Sequence, residues 1–335
     1  MTRALSFQSG YRCQRSGACC TSNWPIPIEA DRLARLQAAV ADGTLAAART
    51  PWARPWSGSS LATPALLAAD RGRCVFFETS GGHHCSIQSA LGHDALPLAC
   101  RQFPRVSVHD PRGTSIVLSC YCPTAAAMLD APGPVTIVHS PSAFPDDGEY
   151  AGLETRDGWP PILRSGVLMD WPSWWAFESR AVNLIANIAT SPDDALSRLT
   201  SVVAEVRAWQ PGGVPLASAV DDAFDAADRE PARLVTLDSS ACLDRVASLH
   251  RAIPSEWHVT TGPKTPMNES PTRWLRFLAC HAFANWAVHL GHDLEAWLDS
   301  IASAHALLAS GFGVREADLW LRHLSPSAGL RDAAD

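Results

Sequence analysis

Lysine is nearly missing. Lys264 is the only one in 335 residues, and arginine carries the rest of the positive charge. Charged residues make up 18% of the chain and the net charge is −7. A general nucleic-acid binder needs a basic stripe, so none is expected here. No apolar run of about 18 residues occurs, so no membrane span is expected. The opening "MTRALSFQSG" has no apolar segment and no small-residue cleavage site. No secretory leader is expected, and the cytoplasm is the expected compartment. Gly-x-Gly-x-x-Gly after a strand, a phosphate loop, His-Glu-x-x-His and Gly-x-Ser-x-Gly are all missing. Their absence leaves a Rossmann cofactor site, a zinc protease and an α/β-hydrolase without support. So is Cys-x-x-x-Cys-x-x-Cys, the usual ligand spacing of radical enzymes.

What is present is apolar bulk and cysteine. Hydrophobic residues reach 47%, enough for a sizeable core. Of ten cysteines, eight fall between Cys13 and Cys122: Cys13, Cys19, Cys20, Cys74, Cys85, Cys100, Cys120 and Cys122. Cys242 and Cys280 stand alone inside helical patterns beside Leu and Ala, and are expected to be buried thiols. This asymmetry divides the chain into a cysteine-rich part, 1–130, and a mainly helical part, 131–335.

The run "EADRLARLQAAV" has Leu33, Leu36 and Val40 at helical spacing with Glu29 and Asp31 in its first turn. Residues 50–64, with three prolines, read as a loop. "RVSVHDPRGTSIVLSC" predicts two strands joined through Asp110–Gly113, and "CPTAAAML" opens a helix at Pro123. Residues 131–170 predict connecting structure with one strand near Val135–Val138. Helices are expected over 172–189, 216–228, 239–252, 294–309 and 315–324. Ser191–Pro192 and Ser270–Pro271 should start two more, the second running to Gly291. The expected fold is mainly α, with a small irregular α+β cysteine-rich part and a C-terminal helical bundle. Trp171, Trp174, Trp175, Trp274, Trp286 and Trp297 are expected in its core.

Three cysteines in "YRCQRSGACC" resist a purely structural explanation. Neighbours on an extended strand face opposite ways, so Cys19 and Cys20 cannot both enter one core. Thiols stay reduced in the cytoplasm, where clustered cysteines bind metal or react more often than they form disulfides. Thiolate is a soft ligand that suits zinc and iron–sulfur clusters alike. Four serve a tetrahedral zinc or an ordinary cubane, so eight supply one site with spares or two sites.

The ordered runs "YRCQRSGACC", "PIPIEADRLARL", "GRCVFF", "HHCSIQ" and "LPLACRQFPR" resemble the cysteine-cluster (YkgJ-like) family of zinc- or iron-chelating proteins. The resemblance covers about residues 7–130. It implies metal binding by Cys13, Cys19, Cys20, Cys74, Cys85 and Cys100. Ser16 stands where the family has its second cysteine; either Cys120 or Cys122 replaces it or the site has fewer thiolates. "CSIQSALGHDALPLACRQFPR" followed by "GTSIVLSCYCPTAAAML" is similar to the flagellin lysine-N-methylase branch of that family. This implies, as the alternative, methyl transfer from S-adenosylmethionine to a protein substrate such as flagellin. The first expectation is a metal-binding protein holding zinc or an iron–sulfur cluster, with Cys122–Pro123 tilting the choice toward the cluster.

Other residues could join that chemistry. His83 and His84 precede Cys85 and could be ligands, although an exposed loop accounts for them better. His93 has a similar standing. Arg101 could face cluster sulfurs or an anion, or simply form an ion pair. His281, His289 and His292 share one helical pattern and could make a polar face, although packed or solvated histidines are commoner.

Overall fold

The computed structural model describes residues 1–47, 49–56, 64–79, 84–229, 239–252 and 269–324. Its architecture is mixed α+β with more helix than strand. The main sheet has five strands in the order 137–139, 2–5, 113–118, 105–110 and 153–154. The predicted hairpin forms its centre, with Arg105–Asp110 antiparallel to Gly113–Leu118. The Asp110 carboxylate accepts the Arg112 backbone N–H at 2.8 Å and closes the turn. Gly113 lies at φ +124°, and a Cβ there would strike the Met1 carbonyl, which accepts the Thr114 N–H at 2.9 Å. Glycine is thus what lets the N-terminal strand close in.

That strand, Thr2–Leu5, was not expected. It runs parallel to Gly113–Leu118 and antiparallel to Ile137–His139, and all four of its residues are buried. The stretch 131–170 also holds more than the single strand anticipated. Leu153–Glu154 extends the sheet, and Ile162–Arg164 pairs with Val167–Leu168. The sheet therefore draws strands from both sides of position 130. One core reaches from Leu5, Val108 and Val117 on the sheet to Ala317 near the end of the described chain.

The helices lie close to the predicted positions: Trp171–Asn183, Pro192–Ala208, Leu216–Arg229, Ser239–Ala252, Pro271–Ala282, Leu294–Ala309 and Val314–Leu324. Their starts are set by side-chain caps. Ser191 Oγ accepts from Asp194 N at 3.1 Å, Ser270 Oγ from Arg273 N at 3.2 Å, and Asp170 Oδ1 from Ser173 N at 2.8 Å. Phe177 anchors the interior, with its ring 5.4 Å from Phe224 and 5.0 Å from Trp297, both edge-on. Trp174 and Trp297 are fully buried, and the other four tryptophans pack against the core partly exposed. Cys242 and Cys280 are buried as expected.

One helix is shorter than its pattern. The segment expected to run to Gly291 stops at Ala282. Ala284 turns left-handed (φ +53°) and donates its N–H to Glu178 Oε1 at 3.1 Å. Asn285 Nδ2 takes the His281 carbonyl at 2.6 Å, ending the ladder. The three histidines consequently share no face. His281 lies 3.3 Å from Asp318 and edge-on to Phe277, while His292 is exposed. His289 sits against Trp171 and Trp174, with ring centroids 6.2 and 5.8 Å away.

Burial pushes the His289 imidazole down to about 4, with Glu178 and Asp110 opposing the shift and Arg112 adding to it. The folded chain therefore holds His289 neutral, while the unfolded chain protonates it near 6.5. Its contribution is complete above pH 6.5 and is lost as pH falls from there toward 4, amounting to about 3 kcal/mol. Urea melts across that window should show the loss in the native protein and a flatter profile in His289→Phe. An unchanged slope would refute the assignment.

Candidate metal centre

A second, smaller core lies under the cysteine-rich stretch. Ile26, Ile28, Leu36, Leu67, Phe76, Ile87 and Leu96 form it, and Cys74, Cys85 and Cys100 pack against it. Four short elements bring sulfurs to its surroundings. The tight turn Ala18–Cys20 carries Cys19 and Cys20, closed by Cys20 N to the Gly17 carbonyl at 2.9 Å. Gly17 is left-handed at φ +73°, and a Cβ there would strike the Phe77 ring. Phe77 is the cross-strand partner of Cys85, so the glycine lets the Cys19–Cys20 turn settle against the Cys85 hairpin. Cys74 ends a second hairpin opposite Ala69. Cys100 rides on the short helix Leu98–Gln102, whose Leu98 N–H is held by Glu29 Oε1 at 3.0 Å.

These elements assemble five thiols. The Sγ atoms of Cys19 and Cys20 are 4.0 Å apart. The Cys20 thiol also interacts electrostatically with Cys74 and Cys85. Cys100 is close enough to Cys74, Cys19 and Cys85 to feel their charge. Interaction with the neighbouring sulfurs, Cys19 first, raises the Cys20 pKa. Interaction with Cys20 lowers Cys19 and brings Cys85 down to about 7. Backbone N–H groups of Gln88 and Ile87 at the following helix start add to the shift at Cys85. The Cys100 thiol is raised well above its ordinary value, first by burial and then by the acidic groups around it.

A bound cation would favour the thiolate form of whichever sulfurs it touches. An all-sulfur donor set fits a soft metal. The thiols converge without closing on a point: among the described residues no three His, Cys, Asp or Glu side chains surround a common ion-sized position.

The other expected ligands lie elsewhere. Cys13 is exposed, with its sulfur taking the Arg15 N–H at 3.4 Å. It shares the neighbourhood of Tyr11 with buried Cys122, whose sulfur is 3.8 Å from the Tyr11 hydroxyl. Cys120 is buried in the main core. Tyr121, between these two, exchanges hydrogen bonds with Thr21 beside the Cys19–Cys20 turn: 3.0 Å to its hydroxyl and 2.9 Å to its carbonyl. Ser16, in the family's cysteine position, is exposed, with its hydroxyl 3.5 Å from Ala18 N. His84 lies 3.4 Å from Glu78, and exposed His93 lies 3.9 Å from Asp94. Arg101 is ion-paired with Glu149 at 2.6 Å. His83 lies outside the described residues. Sequence reasoning missed Glu29 as a neighbour of the thiols. Its position at the start of the helix Ala30–Ala41 was visible, but its reach to Leu98 was not.

Comparison with known protein families, curated proteins and solved structures finds no match to this chain. No described helix is long and apolar enough to cross a membrane.

Proposed function

We propose that this protein holds a soft metal, zinc or an iron–sulfur cluster, on the thiolates of Cys19, Cys20, Cys74, Cys85 and Cys100. The observation that supports this reading is the Cys19–Cys20 sulfur pair at 4.0 Å beside a small core against which Cys74, Cys85 and Cys100 also pack. The resemblance of the same segments, in the same order, to the cysteine-cluster family supports it. When bound, the metal would supply a cross-link between four loops and, in the cluster form, an electron site. The chain's own part is to hold the sulfurs: the Gly17–Cys20 turn, two hairpins and the Glu29-anchored helix each fix one position.

Two observations bear on which metal. The 4.0 Å between Cys19 and Cys20 is close to the edge of a zinc–sulfur tetrahedron, about 3.8 Å for bonds of about 2.3 Å. Five sulfurs, by contrast, exceed the four that such a tetrahedron takes. Metal and sulfide analysis of anaerobically purified protein decides between them. Either stoichiometric zinc in a colourless sample, or iron with acid-labile sulfide in a coloured one, is expected. Metal-free protein whose five thiols all react at once with a thiol reagent would end the proposal.

Chelation should also act locally. Hydrogen exchange is expected to quicken over 17–102 and to stay slow in the helices Trp171–Asn183 and Pro192–Ala208. Uniform loosening, or none, would count against a metal that ties these loops. The methylase alternative is carried by resemblance alone. Labelled methyl transfer from S-adenosylmethionine to flagellin lysines, lost in Cys20→Ser, is its test.

A further inference from the structure

A surface cleft of about 260 Å³ opens on two of the segments that carry the thiols, lined in part by Asn23, Trp24, Arg49, Arg54, Leu67 and Arg71. Asn23 and Trp24 follow Cys20 closely, and Arg71 forms the turn of the Cys74 hairpin. The charge here opposes that of the whole molecule. The chain carries −7, yet residues 43–74 hold Arg49, Arg54, Arg71 and Arg73 against a single acidic residue, Asp70. Three of those arginines line one concave site, where low-dielectric walls concentrate the field.

The backbone adds an independent observation. The hairpin Ala69–Asp70/Arg73–Cys74 turns through Arg71 and Gly72, at φ +50° and +74°. Such turns favour asparagine, aspartate or glycine at the first position. An arginine there is under strain from its Cβ. Packing does not repay it, because Arg71 is exposed. Strain spent to present a charged side chain marks a functional position. Asn23, across the cleft, is left-handed as well, at φ +58°.

Guanidinium forks match the oxygens of phosphate bidentately. A phosphate monoester carries about −1.5 to −2 at pH 7 and three acceptor oxygens. The cleft is larger than a bare phosphate, and Trp24 and Leu67 give it an apolar wall. We infer that this cleft binds a small phosphate monoester. Its phosphoryl group lies on Arg71, Arg49 and Arg54, and its compact organic body rests against Trp24 and Leu67. Arg49 now spends its charge on Asp70 at 3.8 Å, both side chains being half exposed, a contact weak enough to yield to a doubly charged ligand. This site does not depend on what the thiols hold.

Calorimetric titration of the full chain with phenyl phosphate tests the inference. Binding should weaken with added salt. Arg71→Asn keeps a residue suited to the left-handed turn and should lower affinity about tenfold or more, the worth of one charge-assisted hydrogen bond. Far-UV circular dichroism and thermal melting should match the native protein. Should that variant fail to fold, Arg49→Gln on its exposed loop gives the same readout, a severalfold loss. Inorganic phosphate should bind more weakly than phenyl phosphate, and isophthalate more weakly still. No heat at millimolar phenyl phosphate, or equal affinity in native protein and folded variant, overturns the site. Isophthalate binding as tightly as phenyl phosphate overturns the phosphate class.

Discussion

The proposed metal site should not survive Cys20→Ser. Cys20 is the hub of the thiol group, interacting with Cys19, Cys74 and Cys85 at once. Removing a partner that merely orients a ligand typically costs 10–100-fold in metal affinity, so removing a thiolate at the hub should cost at least about a hundredfold. Serine keeps the size and the hydrogen bond but is a hard, weakly acidic donor, so any loss reports on softness rather than packing. Metal per chain measured after gel filtration should fall below about a tenth of the native value. Cys242→Ala, a buried thiol in the helical part, should leave it unchanged. Equal metal content in both variants would show that the sulfurs around Cys20 are not the site.

The second large effect is expected at Glu178, far from the thiols. Glu178 and Asp110 are nearly inaccessible and face the buried Arg3 and the partly buried Arg112. Arg112 reaches Glu178 at 2.9 Å and Asp110 at 2.6 Å. Arg3 reaches Asp110 at 3.2 Å and Glu178 at 3.9 Å, and it also bonds Ser115. Two positive and two negative charges balance, and Arg112 additionally lies 5.1 Å over the Trp175 ring. Glu178 also takes the Ala284 N–H where the chain leaves the helix Pro271–Ala282. Glu178→Ala therefore leaves a net buried charge and an orphaned backbone donor. Breaking a buried pair from one side costs about 3–5 kcal/mol, and that loss should appear in urea unfolding. Glu178→Gln keeps the shape and one acceptor, and should cost less. A loss below about 1 kcal/mol for Glu178→Ala would mean that water or Asp110 alone suffices to hold the arginines.

The helices were legible in the sequence where local chemistry specifies them. Ser191–Pro192 and Ser270–Pro271 are starts that need no tertiary context, because the cap and the proline act within one turn. The central hairpin was legible for a similar reason, with β-branched runs flanking Asp110–Gly113. The N-terminal strand was not. Thr2–Leu5 is buried throughout, so it shows no alternation, and its pairing comes from partners more than 100 residues away. The two-residue strands after position 150 have too few residues to carry a period. The stop at Ala282 was hidden because Phe283 and Ala284 continue the apolar pattern, while its cause lies in Glu178 and Asn285.

The candidate site divides in the same way. Residue type and clustering pointed to soft-metal chemistry, since thiol density is a property of the sequence. Which sulfurs meet is a property of the fold. Cys13 and Cys20 sit seven residues apart in one short segment, yet one faces solvent beside Tyr11 and the other centres the thiol group. Cys122, offered with Cys120 as a replacement for Ser16, lies buried 3.8 Å from the Tyr11 hydroxyl. The arginine cleft could not be read at all, because Asn23, Arg49 and Arg71 are brought together only by the turn and the hairpin.

X-ray absorption at the metal edge of anaerobically purified protein asks most directly whether sulfurs surround the metal. A first shell made of sulfur at about 2.3 Å, losing intensity in Cys20→Ser, is the predicted result. A shell dominated by nitrogen or oxygen, or one that Cys20→Ser leaves intact, would contradict it.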